Sequence, residues 1–398
     1  MTTVMFDPRD PAFIADPYPA FAAMRARGEV HLHPGLGLAV AVSHAASSAV
    51  LRHRSLGRLW TDATPVEAFP AFNLLHGNSL LETEPPRHTR LRRLISAAFG
   101  RDHVERLRPR VTRLADELVA GLAEKIAAGH AADLLDEVAV PLPIAVIAEL
   151  LGVPTPDRSL LQPWSNAIVK MYEYDLPPEL GASAERASAE FAAYLRELIA
   201  LRRRRPGQDL VSDLVMVTDV DGGKLTEDEL MATAVLLLMA GHEASVNVVG
   251  NGVFALMRHR GQWERLVADP GLMPTAVEEL IRFDPPLQLF ERTATAEVEI
   301  GGHLLRPGEK IAALLGAAAR DPAVFDSPNA LDVGRKPNAH LGFGAGIHYC
   351  VGAPLARLET AATLMALIRN LPDVQLAEEP VRRAEFVIRG LRSLLLTR

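Results

Sequence analysis

The only cysteine, Cys350, lies in HLGFGAGIHYCVGAPLARLE, the segment from His340 to Glu359. Pro354 marks a helix start just beyond it, and the N–H groups of a helix start favour thiolate over thiol. Glycines at 344, 346 and 352 let the backbone approach a large flat group closely. A lone cysteine is more often a packed core thiol, but this setting reads as a ligand loop. A second constellation is Gly241-His242-Glu243, in a stretch, LLLMAGHEASVNVVGNG, that is apolar nearly all round and therefore buried. A buried Glu243 needs a polar partner, and Gly241 weakens a helix by up to ~1 kcal/mol relative to Ala. Two readings stand side by side: a local helix distortion that opens a pocket, or a close helix crossing with a salt-bridged acid. His88 and Arg92, four residues apart, share a helix face and suit an anionic group.

Several familiar motifs fail. HExxH needs a second histidine where Val246 stands, and the GxGxxG begun by Gly344 and Gly346 reaches Tyr349 at its last glycine position. No P-loop or nucleophile elbow is present. The Arg202–Arg205 run ends a helix before Pro206-Gly207 and reads as a solvated last turn.

The elements that must position these residues are mostly helical. Apolar residues recur at three- and four-residue spacing over 86–99, 104–127, 136–151, 182–204, 226–258, 274–283 and 354–371. Strand patterns fall at 297–305, 310–315 and 385–396, with turns at Gly301-Gly302 and Pro307-Gly308. Thr226 and Glu229 form a capping box at the head of the longest helix. The stretches 56–80 and 331–351 read as long binding loops. With 398 residues, 48% hydrophobic and 23% charged, the chain is an ordinary globular protein, read as mainly α with a small β part and one domain over 1–398. A single cysteine rules out an internal disulfide framework or a multi-Cys metal site. The net charge of −7 argues against nucleic-acid binding. No apolar run approaches the ~18 residues of a membrane span and the N-terminus lacks a signal pattern, so a cytoplasmic, membrane-free protein is expected.

The cysteine loop resembles that of the cytochrome P-450 family of haem-thiolate monooxygenases, Phe-x-x-Gly-x-(His/Arg)-x-Cys-x-Gly. Phe343, Gly346, His348, Cys350 and Gly352 occupy every fixed position, with Gly344 inside the loop. Glu279 and Arg282 match the family's Glu-x-x-Arg, and AGHEAS resembles its oxygen-binding motif. The resemblance spans nearly the whole chain, with the motifs in the family's order. It implies that fold, with haem b (iron protoporphyrin IX) held between the long helix and the Cys-loop helix. Cys350 is then the iron ligand, while His88, Arg92, Arg292 and His340 stand at propionate-binding positions. The pocket is expected to be lined by the loop from Trp60 to Leu80, the segment from Trp164 to Tyr174, Leu237, Ala240, Gly241 and Ala244, then Leu287, Gln288, Leu289, Phe290 and Ile388. Asn73, His76 and Gln288 are its polar members.

Two positions depart from the family's pattern. Ala244 replaces the usual threonine and is followed by Ser245, a pair the resemblance associates with macrolide hydroxylation, and Glu243 is the candidate proton relay. Ala330 replaces an arginine of the Glu279–Arg282 network, and Arg335 is the expected substitute. The implied reaction inserts one oxygen atom from O2 into a C–H bond of a medium-to-large apolar natural product, with electrons from a ferredoxin and its reductase. The rivals are peroxide-driven oxidation, ring closure or C–C coupling at the same site, and a haem-based sensor. Nine arginines against Asp102 and Glu105 between Arg87 and Arg113 form a basic segment that would attract an acidic ferredoxin. A monomer is expected.

Overall fold

The helical spacing is realised in seven long helices among the described residues: α1 (Arg87–Ala98), α2 (Arg101–Ala127), α3 (Pro141–Leu151), α4 (Pro178–Arg204), α5 (Glu227–Arg258), α6 (Met273–Phe283) and α7 (Ala353–Asn370). The structure is a computed structural model that describes residues 5–98, 101–174, 177–218 and 222–398. The chain divides into two units: unit 1 is Met1–Gly57, Thr112–Val140 and Ala244–Arg398, and unit 2 is Arg58–Val111 and Pro141–Glu243.

Unit 1 holds a sheet of five strands: β1 (Val30–His33), β2 (Leu38–Ala41), β3 (Leu56–Gly57), β4 (Leu289–Ala294) and β5 (Lys310–Leu314), in the order β1-β2-β5-β4-β3. The inner strand β5 runs parallel to β2 and antiparallel to β4, and its run Ile311–Leu314 is fully buried, as a strand covered on both faces requires. The β4 register pairs Phe290 with Ala313 and Arg292 with Ile311, so these two expected site residues share one face of the sheet. The expected strand over 297–305 is a hairpin, Val298–Ile300 with His303–Leu305. Its two turn residues, Gly301 and Gly302, have φ of 55° and 76°, which glycine adopts without strain.

The expected strand over 385–396 is not one. Only Leu395–Thr397 joins a ladder, and Ile388 meets Leu287 in an isolated bridge. Side chains anchor this segment instead: Arg389 Nε and Arg382 Nη2 donate to the buried Asp284 carboxylate at 2.8 and 2.6 Å, and the Tyr18 hydroxyl donates to it at 2.6 Å. Burial alone would raise the Asp284 carboxyl, but the two guanidiniums outweigh it and hold the group well below the usual carboxylate range.

Helix α5 is α-helical without a break from Glu227 to Arg258. The capping box forms: Thr226 N–H donates to Glu229 Oε2 at 3.0 Å and Glu229 N–H to Thr226 Oγ1 at 3.2 Å. A Cβ on Gly241 would sit 2.9 Å from Ile147 Cδ1 of α3, so that glycine lets two helices close on each other. Of the two readings, the close approach is the one realised at Gly241, and the helix is not distorted there. The apolar window of α5 is long enough to cross a membrane, but 78% of it is buried inside the protein.

Two further differences have local causes. The stretch 56–80 contains a helix, Pro70–Gly77, started by a proline already set in helical φ and packed through Phe72, Leu75 and His76. The expected helix over 136–151 begins as a π-type turn, Leu135–Ala139, before α3 proper, because Pro141 and Pro143 supply no N–H groups to continue the ladder.

Candidate active site

In unit 1, Cys350 is half-buried rather than packed in the core. Its N–H donates to the Phe343 carbonyl at 3.0 Å, and the Gly344 N–H donates to Leu341 O at 2.8 Å, which closes the loop on itself. Gly344 and Gly346 both have φ of 70°. A Cβ on Gly346 would lie 2.5 Å from the Leu51 carbonyl of the helix His44–Arg52, so the backbone passes there only as glycine. Helix α7 starts at Ala353, three residues past the thiol, with Pro354 in its first turn.

The loop before the thiol is held from α6. Glu279 is fully buried and accepts from Arg282 Nε at 2.7 Å and Nη2 at 2.8 Å, from the Asp332 N–H at 2.9 Å and from Asn338 Nδ2 at 3.2 Å. Arg335 Nε completes the set, donating to both oxygens at 3.1 and 3.0 Å. Arg282 also donates to the carbonyls of Ala319, Pro328 and Ala330. The neighbouring acid, Glu278, accepts from Arg357 Nε at 2.5 Å and pairs with His340 Nε2 at 3.0 Å. Burial alone would raise the Glu278 carboxyl, but these hydrogen bonds outweigh it and bring it down to about 2. His340 Nδ1 accepts from the Gly342 N–H at 3.1 Å, so one ring nitrogen of this expected propionate ligand bonds within the loop and the other ties the loop to α6. His348 lies half-buried in the loop, and Arg292 is buried on β4.

Along α5, Leu236, Ala240 and Ala244 recur every four residues as the accessible stripe of a helix whose centre is otherwise buried. Gly241 is half-buried beside them, while Leu237, Glu243 and Ser245 are buried. The Ser245 hydroxyl donates to Glu359 of α7. Glu359 is buried, its Oε1 has no partner, and desolvation raises its carboxyl to about 8 despite the Ser245 hydrogen bond. Sequence reasoning missed Glu359. Its signal was present: an acid inside the apolar face of a helix, between Leu358 and the buried Thr360 and Thr363.

Of the remaining expected pocket residues in unit 1, Leu287 and Phe290 are half-buried, while Gln288, Leu289 and Ile388 are buried. The Gln288 carboxamide nitrogen donates to Pro285 O at 2.7 Å, and its Oε1 lies against Gly316. Its main chain does border the expected wall, donating to Val387 O at 3.0 Å.

In unit 2, His88 is buried and Arg92 half-buried, both on α1. Asn73 is committed to the backbone of Ala63, from which it accepts at 2.8 Å, and His76 Nδ1 bonds the Phe72 carbonyl at 2.9 Å. The basic segment is less bare than its composition. Arg87 and Arg90 both converge on the buried Glu229, Arg110 pairs with Glu149 at 3.1 Å and Arg108 with Glu105 at 2.8 Å. In unit 1, Arg113 lies 3.7 Å from Glu117. The Arg101 side chain lies outside the described residues.

These features match a known family. The cytochrome P-450 family model fits residues 63–379. PikC of Streptomyces venezuelae, a cytochrome P-450 monooxygenase, is 40% identical over 96% of this chain and 91% of its own length. The 6-deoxyerythronolide B hydroxylase of Saccharopolyspora erythraea is 40% identical over 78% of this chain and 76% of its own. The solved structure of P450BioI, in complex with an acyl carrier protein ligated to hexadec-9Z-enoic acid, superposes with a TM-score of 0.91 at 32% identity over 97% of this chain and 99% of that one. The chain belongs to the cytochrome P-450 family. It is a monooxygenase with the cytochrome P-450 fold, and haem b is its cofactor. The residues present fit that group. The one thiol stands half-exposed at a helix start, in a loop of glycines held by one buried and one half-buried network, and a buried arginine lies on β4 of the same unit. Cytochromes P-450 act on small molecules with O2 and redox partners.

Proposed function

We propose that this cytochrome P-450 hydroxylates a medium-to-large, mostly apolar natural-product intermediate, taking electrons from a ferredoxin and its reductase. The observation that carries the reading is the accessible apolar stripe Leu236, Ala240 and Ala244 on α5, ending at the alanine that replaces the family's threonine. Haem held by a cysteine thiolate supplies the oxygen chemistry, because the strongly donating ligand favours O–O cleavage. Cys350 is the ligand, with Phe343, Gly344, His348 and Gly352 shaping its loop, and the family resemblance assigns the two propionates to His88, Arg92, Arg292 and His340. Glu359 holds a proton at neutral pH, Ser245 is hydrogen-bonded to it, and Glu243 is the second buried acid of the region. Ala240, Gly241 and Ala244 on the accessible stripe of α5 suit a bulky apolar substrate, and the family resemblance adds Leu287, Phe290 and Ile388 to the substrate-binding residues. The 6-deoxyerythronolide B hydroxylase, whose name gives a large natural-product substrate, supports that substrate class. A protein acting as a cytoplasmic, single-domain monomer away from membranes and nucleic acids fits the net charge of −7 and the burial of α5.

The test is the ferrous–CO difference spectrum of the purified protein and of Cys350→Ser. A thiolate-type, strongly red-shifted band that the substitution abolishes is the expected result; haem bound without that band overturns the assignment of Cys350. Turnover of macrolide aglycones with a ferredoxin pair, compared with peroxide alone, then separates oxygen-dependent hydroxylation from peroxide-driven chemistry.

A further inference from the structure

Phe343 stands at the centre of a cluster that the oxygen chemistry does not itself use. Its carbonyl accepts the Cys350 N–H at 3.0 Å, so its backbone is coupled directly to the thiol residue. Its ring lies beneath the Arg357 guanidinium, whose carbon is 4.4 Å from the ring centroid. The His340 and Tyr349 rings flank it at 5.9 and 6.3 Å. Arg357 would be free to swing away from the ring but for Glu278, which takes its Nε at 2.5 Å and its Nη2 at 2.9 Å in a two-pronged pair. The same carboxylate meets His340 at 3.0 Å, and Arg357 Nη1 reaches the Tyr349 hydroxyl at 3.4 Å. Every group that touches the Phe343 ring in this cluster is therefore fixed, directly or through Arg357, to Glu278.

We propose that Glu278 is a positioning residue for the thiolate loop, and that Glu278 and Arg357 form a matched charge pair laid across Phe343 that balances the electric field at Cys350. Arg357 alone would place a full positive charge over the ring. A positive charge near a thiolate favours the more reduced, more negative state of the group it ligates, and a negative charge opposes it. The pair cancels most of this effect while still holding the ring, which is why a fork of two hydrogen bonds is used rather than a single contact. This inference rests on Cys350 being the iron ligand. The ferrous–CO band of the unmodified protein tests that separately and first.

The opposed signs of the two charges separate this role from a merely structural one. The reduction potential of the holoenzyme is measured for wild type, Glu278→Gln, Arg357→Met and the double variant. Glu278→Gln keeps the shape, removes one negative charge and is expected to raise the potential. Arg357→Met is expected to lower it, and the double variant to return close to wild type. If both single variants move the potential in the same direction, the cluster acts only by tightness and the proposal falls; it falls equally if neither moves. If Arg357→Met does not retain haem, Glu278→Gln alone decides: a rise supports the matched pair, and a fall or no change overturns it.

Discussion

Arg335 and Glu279 are 56 residues apart in the chain, yet the Arg335 Nε donates to both oxygens of the Glu279 carboxylate, at 3.1 and 3.0 Å. With Arg282 on the other side, this single buried acid gathers two guanidiniums, a backbone N–H and a carboxamide. The segment that leads into the thiol loop is therefore tied to helix α6 by charge, in a place where it has no ladder hydrogen bonds of its own. A network of this kind is costly to assemble and more costly to break halfway, because the remaining charge stays buried.

Glu279→Gln leaves Arg282 buried without its countercharge. We expect a loss of about 3–5 kcal/mol of stability, with loss of bound haem. Arg335→Ala should cost less, since Arg282 still neutralises the acid. Thermal unfolding of the holoenzyme, followed by Soret absorbance, checks both; an unchanged midpoint for Glu279→Gln would sink the account of the loop.

Glu359 gives a pH dependence whose sign can be worked out. Its carboxyl is raised from an ordinary 4.5 to about 8 in the folded protein, so the folded state binds the extra proton between those values. The contribution is complete below about 4.5 and is lost as pH rises through about 8, so stability falls with rising pH across that window. Glu359→Gln removes the titration. The expected result is a flatter midpoint-versus-pH curve for the variant, with its greatest gain over wild type on the alkaline side. Parallel curves would show that Glu359 ionises as freely when folded as when unfolded.

Much of this was legible in the residues. The thiol loop could be read because its glycines, its proline and its lone cysteine each carry a local physical meaning, whereas Arg335 was nameable as the partner of Glu279 only through the family resemblance, as the substitute for the arginine that Ala330 replaces. Long-range commitments were less legible. Nothing near His340 in sequence announces that Glu278 takes its ring, and the Gln288 carboxamide turns to Pro285 for reasons that exist only once β4 is formed. The segment 385–396 has strand composition, but Asp284 gathers Arg382 and Arg389 by tertiary contact and overrides it. Gly241 was ambiguous because a glycine marks a bend or a close approach with the same letter, and only the position of Ile147 decides between them.

The arginines of the basic segment divide into two classes. Arg108 and Arg110 already face Glu105 and Glu149, whereas Arg106 meets only His103, at 3.1 Å, among the described residues. If an acidic ferredoxin docks on this segment, Arg106→Glu should slow electron transfer several-fold and reduce its salt dependence, and Arg108→Glu should do so less, since that residue's charge is already met. Stopped-flow reduction at several ionic strengths provides the measurement. Equal, negligible effects of both reversals would place the docking surface elsewhere.

At Gly241 two opposing effects can be separated by one cycle of substitutions. An alanine there gains up to ~1 kcal/mol of helix propensity. Its Cβ would also lie 2.9 Å from Ile147 Cδ1, and overpacking of this kind typically costs about 1–3 kcal/mol. The contact should win, so Gly241→Ala is expected to destabilise the protein modestly. Ile147→Val removes the offending methyl at a cost of its own of about 0.5–1.5 kcal/mol. In that background Gly241→Ala should become neutral or stabilising, because only the propensity gain and the looser 3.2 Å approach to Cγ1 remain. The two substitutions would then show coupling of at least about 0.5 kcal/mol in thermal unfolding. Equal effects of Gly241→Ala in both backgrounds would mean that the glycine is not there to let α3 and α5 close.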